Sequence, residues 1–344
     1  MHLSSVCKCA TIAVVMTVMS VPANAAIEYK RGNVGLKLSG YANGGLIEPD
    51  FKEPKWLGDW ALRTQASYYI TNRQTLGVVY AMDQSALDED EFAHELFGLY
   101  ENRDFGRIEL GMTHSVARKL SVGLPDVGGL RVNEKPLFYK KIRPDGAVIA
   151  DTAIISGHEG LRANIVSIPV NGAQYGVSLA GVSDEFDYAA DFGLKIRQPH
   201  GKIKTAYSFG ASFMSHPDNY RPESYTPRVN ADWRAQVSGG MNMQYNSWIL
   251  GLSLRAIYDQ DPTGPVSDGV SVGTGISYDL MRYSLSLTYI LSDTGIWDSS
   301  VKDYADHTVI GSFRYKYSEN VDGWISLGMT SETPFVSAGV RLSF

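Results

Sequence analysis

Few residues of this chain stand in patterns that do chemistry. Gly269-Val270-Ser271-Val272-Gly273 fits the G-x-S-x-G pattern of a serine nucleophile. That pattern needs a strand–turn–helix elbow to present the hydroxyl. Here it opens a run of period-2 alternation with no helical pattern after it, so no nucleophile is expected. His216 or His307 would have to act as the base, and no spacing links either to a serine. His94, His114, His158 and His200 are equally scattered and read as solvated side chains rather than metal ligands. No H-E-x-x-H, P-loop or EF-hand pattern occurs. The expectation is a non-enzyme with no metal and no cofactor. The chemistry left is electrostatic. Asp88-Glu89-Asp90-Glu91, and Asp184-Glu185 with Asp187, are carboxylate clusters that suit a divalent cation, a neighbouring subunit or plain solvation.

Those charges sit in segments that something must hold. The largest such segment lies between Phe105-Gly106-Arg107-Ile108-Glu109-Leu110-Gly111, which alternates strictly, and Leu161 to Pro169, which also reads as a strand. The roughly 45 residues between them have no clean period, and irregular stretches beyond about 12–15 residues usually serve a function. Pro125, Gly128, Gly129, Pro136, Pro144 and Gly146 break any regular run there. The expectation is that this stretch folds into a hollow barrel and narrows it. From Thr113 to Asp151 its cations are Arg118, Lys119, Arg131, Lys135, Lys140, Lys141 and Arg143, against Asp126, Glu134, Asp145 and Asp151. That excess leans weakly towards anions.

The chain begins with a basic Lys8, an apolar run from Ala10 to Ser20, and Ala23-Asn24-Ala25. This is the pattern of a secretory signal peptide, with cleavage expected after Ala25. The apolar run is too short to span a bilayer as an anchor. Cys7 and Cys9 would leave with it, so no disulfide and no thiolate metal site is expected in residues 26–344. Without Lys8 the 31 Lys and Arg fall by one against 37 Asp and Glu, and the net charge of −6 becomes −7. Such a balance argues against nucleic acid as a partner. Beyond Ala25 no apolar run approaches about 18 residues, so no helix is expected to span a membrane.

Strands announce themselves by alternation. Trp233, Ala235, Val237, Gly239, Met241, Met243 and Tyr245 share one face, and Arg234, Gln236, Ser238, Gly240, Asn242 and Gln244 the other. The same test gives sixteen strands, near 33–47, 60–71, 74–83, 94–103, 105–113, 160–169, 174–183, 187–198, 201–215, 229–246, 247–259, 270–280, 281–292, 306–318, 321–331 and 335–344. Apolar faces that begin and end with an aromatic fit a transmembrane barrel. About ten residues at ~3.3 Å, tilted near 40–45°, give the ~25 Å band such a barrel needs. Short turns alternate with longer, acidic connections, as in outer-membrane barrels. An even strand number lets the last strand pair with the first and remove both edges. A secreted β-sandwich is the competing architecture, but it has no need of Ser, Gly and Arg on one face of ten or more strands. The fold class expected is all-β: a sixteen-stranded transmembrane antiparallel barrel with an inward-folded third loop at about 113–159.

Three places resemble the Gram-negative general porin family. Leu96-Phe97-Gly98-Leu99 followed by Phe105 to Gly111 is similar to the family's paired strands. Leu124-Pro125-Asp126-Val127-Gly128-Gly129 is close to the L-P-E-F-G-G run of the inward third loop. Val340-Arg341-Leu342-Ser343-Phe344 resembles the terminal signal read by the barrel-assembly machinery. The chain departs from the family at Met112, where an Arg is usual, and at Ala93 or His94, where another is expected.

The resemblance implies a homotrimeric outer-membrane channel for passive diffusion of small hydrophilic solutes, in contact with lipopolysaccharide and outer-membrane lipid. It also implies a constriction with loop carboxylates facing wall cations. The loop candidates are Asp126, Glu134, Asp145 and Asp151. The wall candidates are Arg63, Arg107, Arg162, Arg234 and Arg255, with Phe344 as the assembly signal. The plain alternative for each charge is a salt bridge or a solvated side chain. A channel selective for sugars or organic acids is the second reading, and would call for aromatics stacked along the lumen. An outer-membrane enzyme or adhesin is the third.

Overall fold

The computed structural model describes residues 26–49, 54–84, 93–128, 138–142, 148–152, 161–181, 188–215, 233–260, 267–294, 306–330 and 333–344. Residues 1–25, Glu134, Asp145 and both carboxylate clusters lie outside them. The wall is made of β2 (Val34–Pro49), β3 (Lys55–Tyr69), β4 (Gln74–Gln84), β5 (Ala93–Asn102) and β6 (Gly106–Met112). It continues with β9 (Arg162–Ser167), β10 (Ala173–Ala180), β11 (Tyr188–His200), β12 (Ile203–Ser215) and β13 (Trp233–Tyr245). It ends with β14 (Trp248–Gln260), β15 (Ser267–Leu280), β16 (Tyr283–Thr294), β17 (Asp306–Lys316), β18 (Val321–Thr330) and β19 (Thr333–Ser343). Every neighbour pairs antiparallel, β6 pairs with β9, and β19 pairs with β2, so sixteen strands close into a barrel.

Closure happens at one seam. Tyr41↔Ser343 through Pro49↔Phe335 set the register of β2 and β19. Gly40 and Phe344 exchange backbone hydrogen bonds at 2.8 and 2.9 Å, which finishes the ladder. Beyond Phe344 the short strand β1 (Ile27–Arg31) takes over, pairing with the rest of β2 from Val34 to Leu38. Two segments far apart in sequence thus cover one flank of β2. Behind the seam, Trp324 donates its indole N–H to Asn43 Oδ1 at 2.8 Å. Its ring lies where a side chain at Gly45 or Gly339 would stand.

The two faces of the wall differ in kind. One carries Val34, Leu36, Tyr80, Leu110, Val177, Val237, Leu252, Leu254, Leu285 and Leu327, all exposed. Aromatics edge this band at both ends. Tyr188, Phe213, Trp233 and Tyr258 follow one another across β11 to β14, with successive centroids 6.2, 5.9 and 5.3 Å apart. At the short-turn end Trp248 meets Tyr278 at 4.4 Å, and Tyr283 meets Tyr315 at 5.1 Å. From Tyr258 to Trp248 the strand runs roughly 33 Å, or roughly 25 Å upright after a tilt near 40°. Water does not favour so large an apolar surface, whereas a hydrocarbon layer of that depth does. The opposite face is rich in Ser, Thr, Gly, Asn and Arg, with buried apolar clusters such as Val79, Phe97 and Leu99 among them.

All sixteen expected strands are present within a few residues of the expected bounds. The closed ring removes the sandwich alternative. Four elements were not expected. One is β1. The others lie in the stretch without a period: helix α1 (Val116–Leu120) and the hairpin β7 (Phe138–Ile142) with β8 (Val148–Thr152). All are about one turn or five residues long, below the window in which periodicity is visible.

The seam gives a test. Trp324→Ala removes a buried ring and leaves the Asn43 acceptor without its donor, a change of a kind that costs about 3–5 kcal/mol. The folded barrel is expected to unfold at clearly lower temperature in a heat-modifiability assay on gels. An unchanged unfolding temperature would mean the seam is not held by this contact.

Candidate functional site

The site is built from the segment Thr113 to Gly128, which crosses the polar face of the wall like a strap. It leaves β6 at Met112 and forms α1, capped by Ser115, whose hydroxyl accepts from the Arg118 N–H at 3.3 Å. Helix α1 packs on β9 to β12. Beyond it the chain is extended and meets β13 through β18 in turn. The wall holds it with hydroxyls. Val116 N–H donates to Ser178 Oγ at 3.3 Å, Val122 N–H to Ser208 Oγ at 2.9 Å, and Val127 N–H to Ser286 Oγ at 3.1 Å. Thr288 Oγ1 donates to the Pro125 carbonyl at 3.3 Å. A non-repetitive segment cannot satisfy its own backbone, so these side chains do it.

Close approach requires glycine beneath the strap. A Cβ at Gly193 would stand 2.6 Å from the Val116 carbonyl oxygen, and one at Gly240 would stand 2.5 Å from that of Val122. Small residues at alternate positions of these strands are therefore a landing surface, not only a polar lining.

The strap's root is a charge network. Glu109 is fully buried and binds Arg107, Lys119 and, at 2.8 Å, the Asn164 amide. Lys119 also reaches Thr113 Oγ1 at 2.6 Å. Thr113 donates to Glu95 at 2.9 Å, and Glu95 lies 3.2 Å from His114 Nε2. The Asn164 amide donates to the His114 carbonyl at 2.9 Å. Lys119 and Arg63 both lie over the Phe97 ring, at 4.7 and 5.6 Å. Beside this network Arg162 is buried against Asp191 at 2.6 Å, and Ser178 donates to the same carboxylate oxygen at 3.1 Å. Each buried charge is paired, as burial demands, because removing one partner of such a pair costs about 3–5 kcal/mol.

The expected site residues fall into different places. Asp126 lies on the strap as expected, but its carboxylate is turned to the wall. Its Oδ1 accepts from Ser286 and Ser312 at 3.1 Å each and from Gly128 N–H at 3.0 Å. Through this oxygen it anchors the strap to the wall. Arg162 is sealed under the strap in its ion pair, and Arg255 is buried with its guanidinium on Ser271 at 3.2 Å. Both are wall cations consumed by packing. Arg63, Arg107 and Arg234 keep partly open side chains. Asp151 is in β8, and Glu134 and Asp145 lie outside the described residues. Ser271, the candidate nucleophile, is in mid-strand in β15 beside Arg255, with no elbow around it. Trp324 and Phe335 share the polar face but are buried, so they offer no surface for a solute to stack on. Sequence reasoning missed Glu109, Glu95 and Asn164. The signal was there: Arg107 and Glu109 stand side by side on the polar face of an alternating strand.

Asp126 tests the strap's attachment. In Asp126→Ala the Gly128 N–H and two hydroxyls lose their acceptor, and hydrogen bonds to a charged group are each worth about 1.5–3 kcal/mol. Amide exchange at Val127 and Gly128 is expected to accelerate by roughly tenfold or more, while exchange in β11 to β13 stays slow. Unchanged exchange at both amides would show that other contacts hold the strap.

No family model matches the sequence, and no curated protein matches it. Solved structures do. OmpT of Vibrio cholerae, in its trimer form, superposes with a TM-score of 0.65 at 11% identity, covering 91% of this chain and 100% of that one. An anion-selective porin from Comamonas acidovorans gives 0.64 at 12% identity, covering 90% and 100%. The outer-membrane channel DcaP of Acinetobacter baumannii gives 0.64 at 12%, covering 93% and 100%. At these identities what is shared is the fold: a closed sixteen-stranded antiparallel barrel of the kind found in Gram-negative outer-membrane porins.

Proposed function

We propose that this protein is an outer-membrane channel through which small hydrophilic solutes and ions diffuse passively. The observation that carries this reading is the strap seated across the polar face of the wall while the apolar face lies exposed between two aromatic belts. A closed barrel satisfies its backbone strand to strand, so its outer surface suits hydrocarbon and its inner surface water. On this reading the strap lies inside and covers β9 to β18. The narrowest gap then lies between it and the polar face of β2 to β6, where Arg63 stands. Residues 1–25 act as an export signal, residues 26–344 form the barrel, and three copies assemble, as in the trimer form of OmpT from Vibrio cholerae. The acidic clusters of the longer connections meet lipopolysaccharide.

The channel reading is tested by excision. Residues 122 to 147 are replaced by a short Gly/Ser linker and the protein is measured in planar bilayers. The barrel does not need this segment for closure. Stepwise conductance is expected for the unaltered protein, and larger steps for the excised form. An excised barrel that folds and passes the same current would place the segment outside the lumen.

Phe344 tests assembly. Its backbone completes the seam with Gly40, and its ring lies over Gly40. Deleting it is expected to lower the yield of folded barrel in the outer membrane far more than it lowers the unfolding temperature of what does fold. Equal yield would remove the role in recognition by the assembly machinery.

A further inference from the structure

The short-turn end of the polar face carries charge that nothing described above uses. Lys195 and Arg197 stand on β11, Lys204 on β12, Arg314 and Lys316 on β17, and Arg341 on β19. Strand register puts all six on the face opposite the apolar band, because Phe192, Ala211, Gly311 and Val340 lie on the band face. Arg197 and Lys204 are diagonal neighbours, since Arg197 pairs with Ala206 and Pro199 with Lys204. The carboxylates of the described strands at the same end of this face are Glu28, Glu101, Asp279 and Asp322. Asp322 stands between Lys316 and Arg341 in the ladder, and Asp279 lies 3.9 Å from Arg314. Lys37 is matched by Glu28 at 2.8 Å, and Arg107 by Glu109. Lys195, Arg197 and Lys204 have no carboxylate partner among the described residues, and the last two are exposed, as is Lys316, which faces Asp322 across the ladder. The two groups of cations stand on separate sectors of the ring, with β13 to β16 between them.

We propose that this end of the lumen is a cationic vestibule that concentrates small anions, polyvalent ones most, and that it sets the channel's ion preference. The proposal rests on the channel reading above. A concave surface lined by one sign of charge and walled by low dielectric focuses field into the lumen and raises counter-ion concentration there. Rings of Lys and Arg line pores that pass anions and phosphates. Beneath the strap the buried charges are matched instead, Glu109 with Arg107 and Lys119, and Arg162 with Asp191. On the strap, Lys119 is likewise held by Glu109. The vestibule therefore supplies field that these paired groups do not. Screening length is about 8 Å at physiological salt and about 30 Å at 0.01 M, so the preference must grow as salt falls.

The test is reversal potential in a potassium chloride gradient, at high and at low salt. The unaltered protein is expected to favour chloride, more so at low salt. In the combined variant Lys195→Gln, Arg197→Gln, Lys204→Gln the chloride-to-potassium permeability ratio is expected to fall roughly twofold or more at low salt. Lys316→Gln, a single exposed change, is expected to move it in the same direction and guards against a triple variant that does not fold. Inorganic tripolyphosphate, added to the side facing the short turns, is expected to reduce the current at lower concentration than from the other side. Steps of conductance with an unmoved reversal potential in both variants would overturn the vestibule and leave the channel standing. No conductance at all would overturn the channel. In that case tripolyphosphate binding to the detergent-solubilised barrel, weakened in the variants, decides the vestibule, and absence of binding overturns it too.

Discussion

A strand at the edge of a sheet leaves a row of N–H and C=O groups without partners, and an apolar surface cannot hand them to water. Closure removes the edges, and here it depends on pairing the last strand with the first. The ladder from Tyr41↔Ser343 to Pro49↔Phe335 does most of this. It is shorter than β2, so β1 completes the flank that β19 leaves open. β1 and β19 together therefore act as one strand against β2. Trp324, Asn43 and Phe335 pack behind the seam, at pleats kept clear by Gly45, Gly339 and Gly328. Large side chains on the polar face are needed at this place because the seam is where sequence-distant segments must find each other.

Closure also fixes which side chains the strap meets. Once the register is set, Ser178, Ser208, Ser286 and Ser312 stand at heights that match successive residues of one extended segment. The wall thus has two outputs from one alternation. Its apolar half meets lipid on the proposed reading, and its small polar half docks a segment that has no secondary structure of its own. Serine serves both needs of the second task, since it is small enough to allow approach and offers a donor and an acceptor.

The strands were legible because a two-residue period with one apolar face is a strong local signal, repeated from Trp233–Tyr245 to Tyr283–Leu291. The seam pairing was legible from the even count. The strap was legible as a stretch without period, and its Leu124–Gly129 run by resemblance, but its track along the wall was not. That track depends on which hydroxyl meets which amide, a matter of register between strands. For the same reason the fate of each charge was hidden. Arg162, Arg234 and Arg255 occupy equivalent positions in an alternating pattern, yet Arg162 and Arg255 are buried and Arg234 is partly open. What separates them is whether the strap passes over them or a neighbour covers them, and no local pattern encodes that.

The placement of charge follows from burial. Where strap and wall meet, water is excluded and a lone charge is costly, so Glu109, Lys119, Arg162 and Asp191 come in complementary sets. Those residues hold shape, and their fields largely cancel within each set. At the short-turn end no described segment covers the wall, so Arg197, Lys204 and Lys316 are exposed and keep their hydration. A charge there costs little and acts at a distance. Position along the barrel axis thus bears on whether a cation is structural or electrostatic, which a count of charges along the sequence does not record.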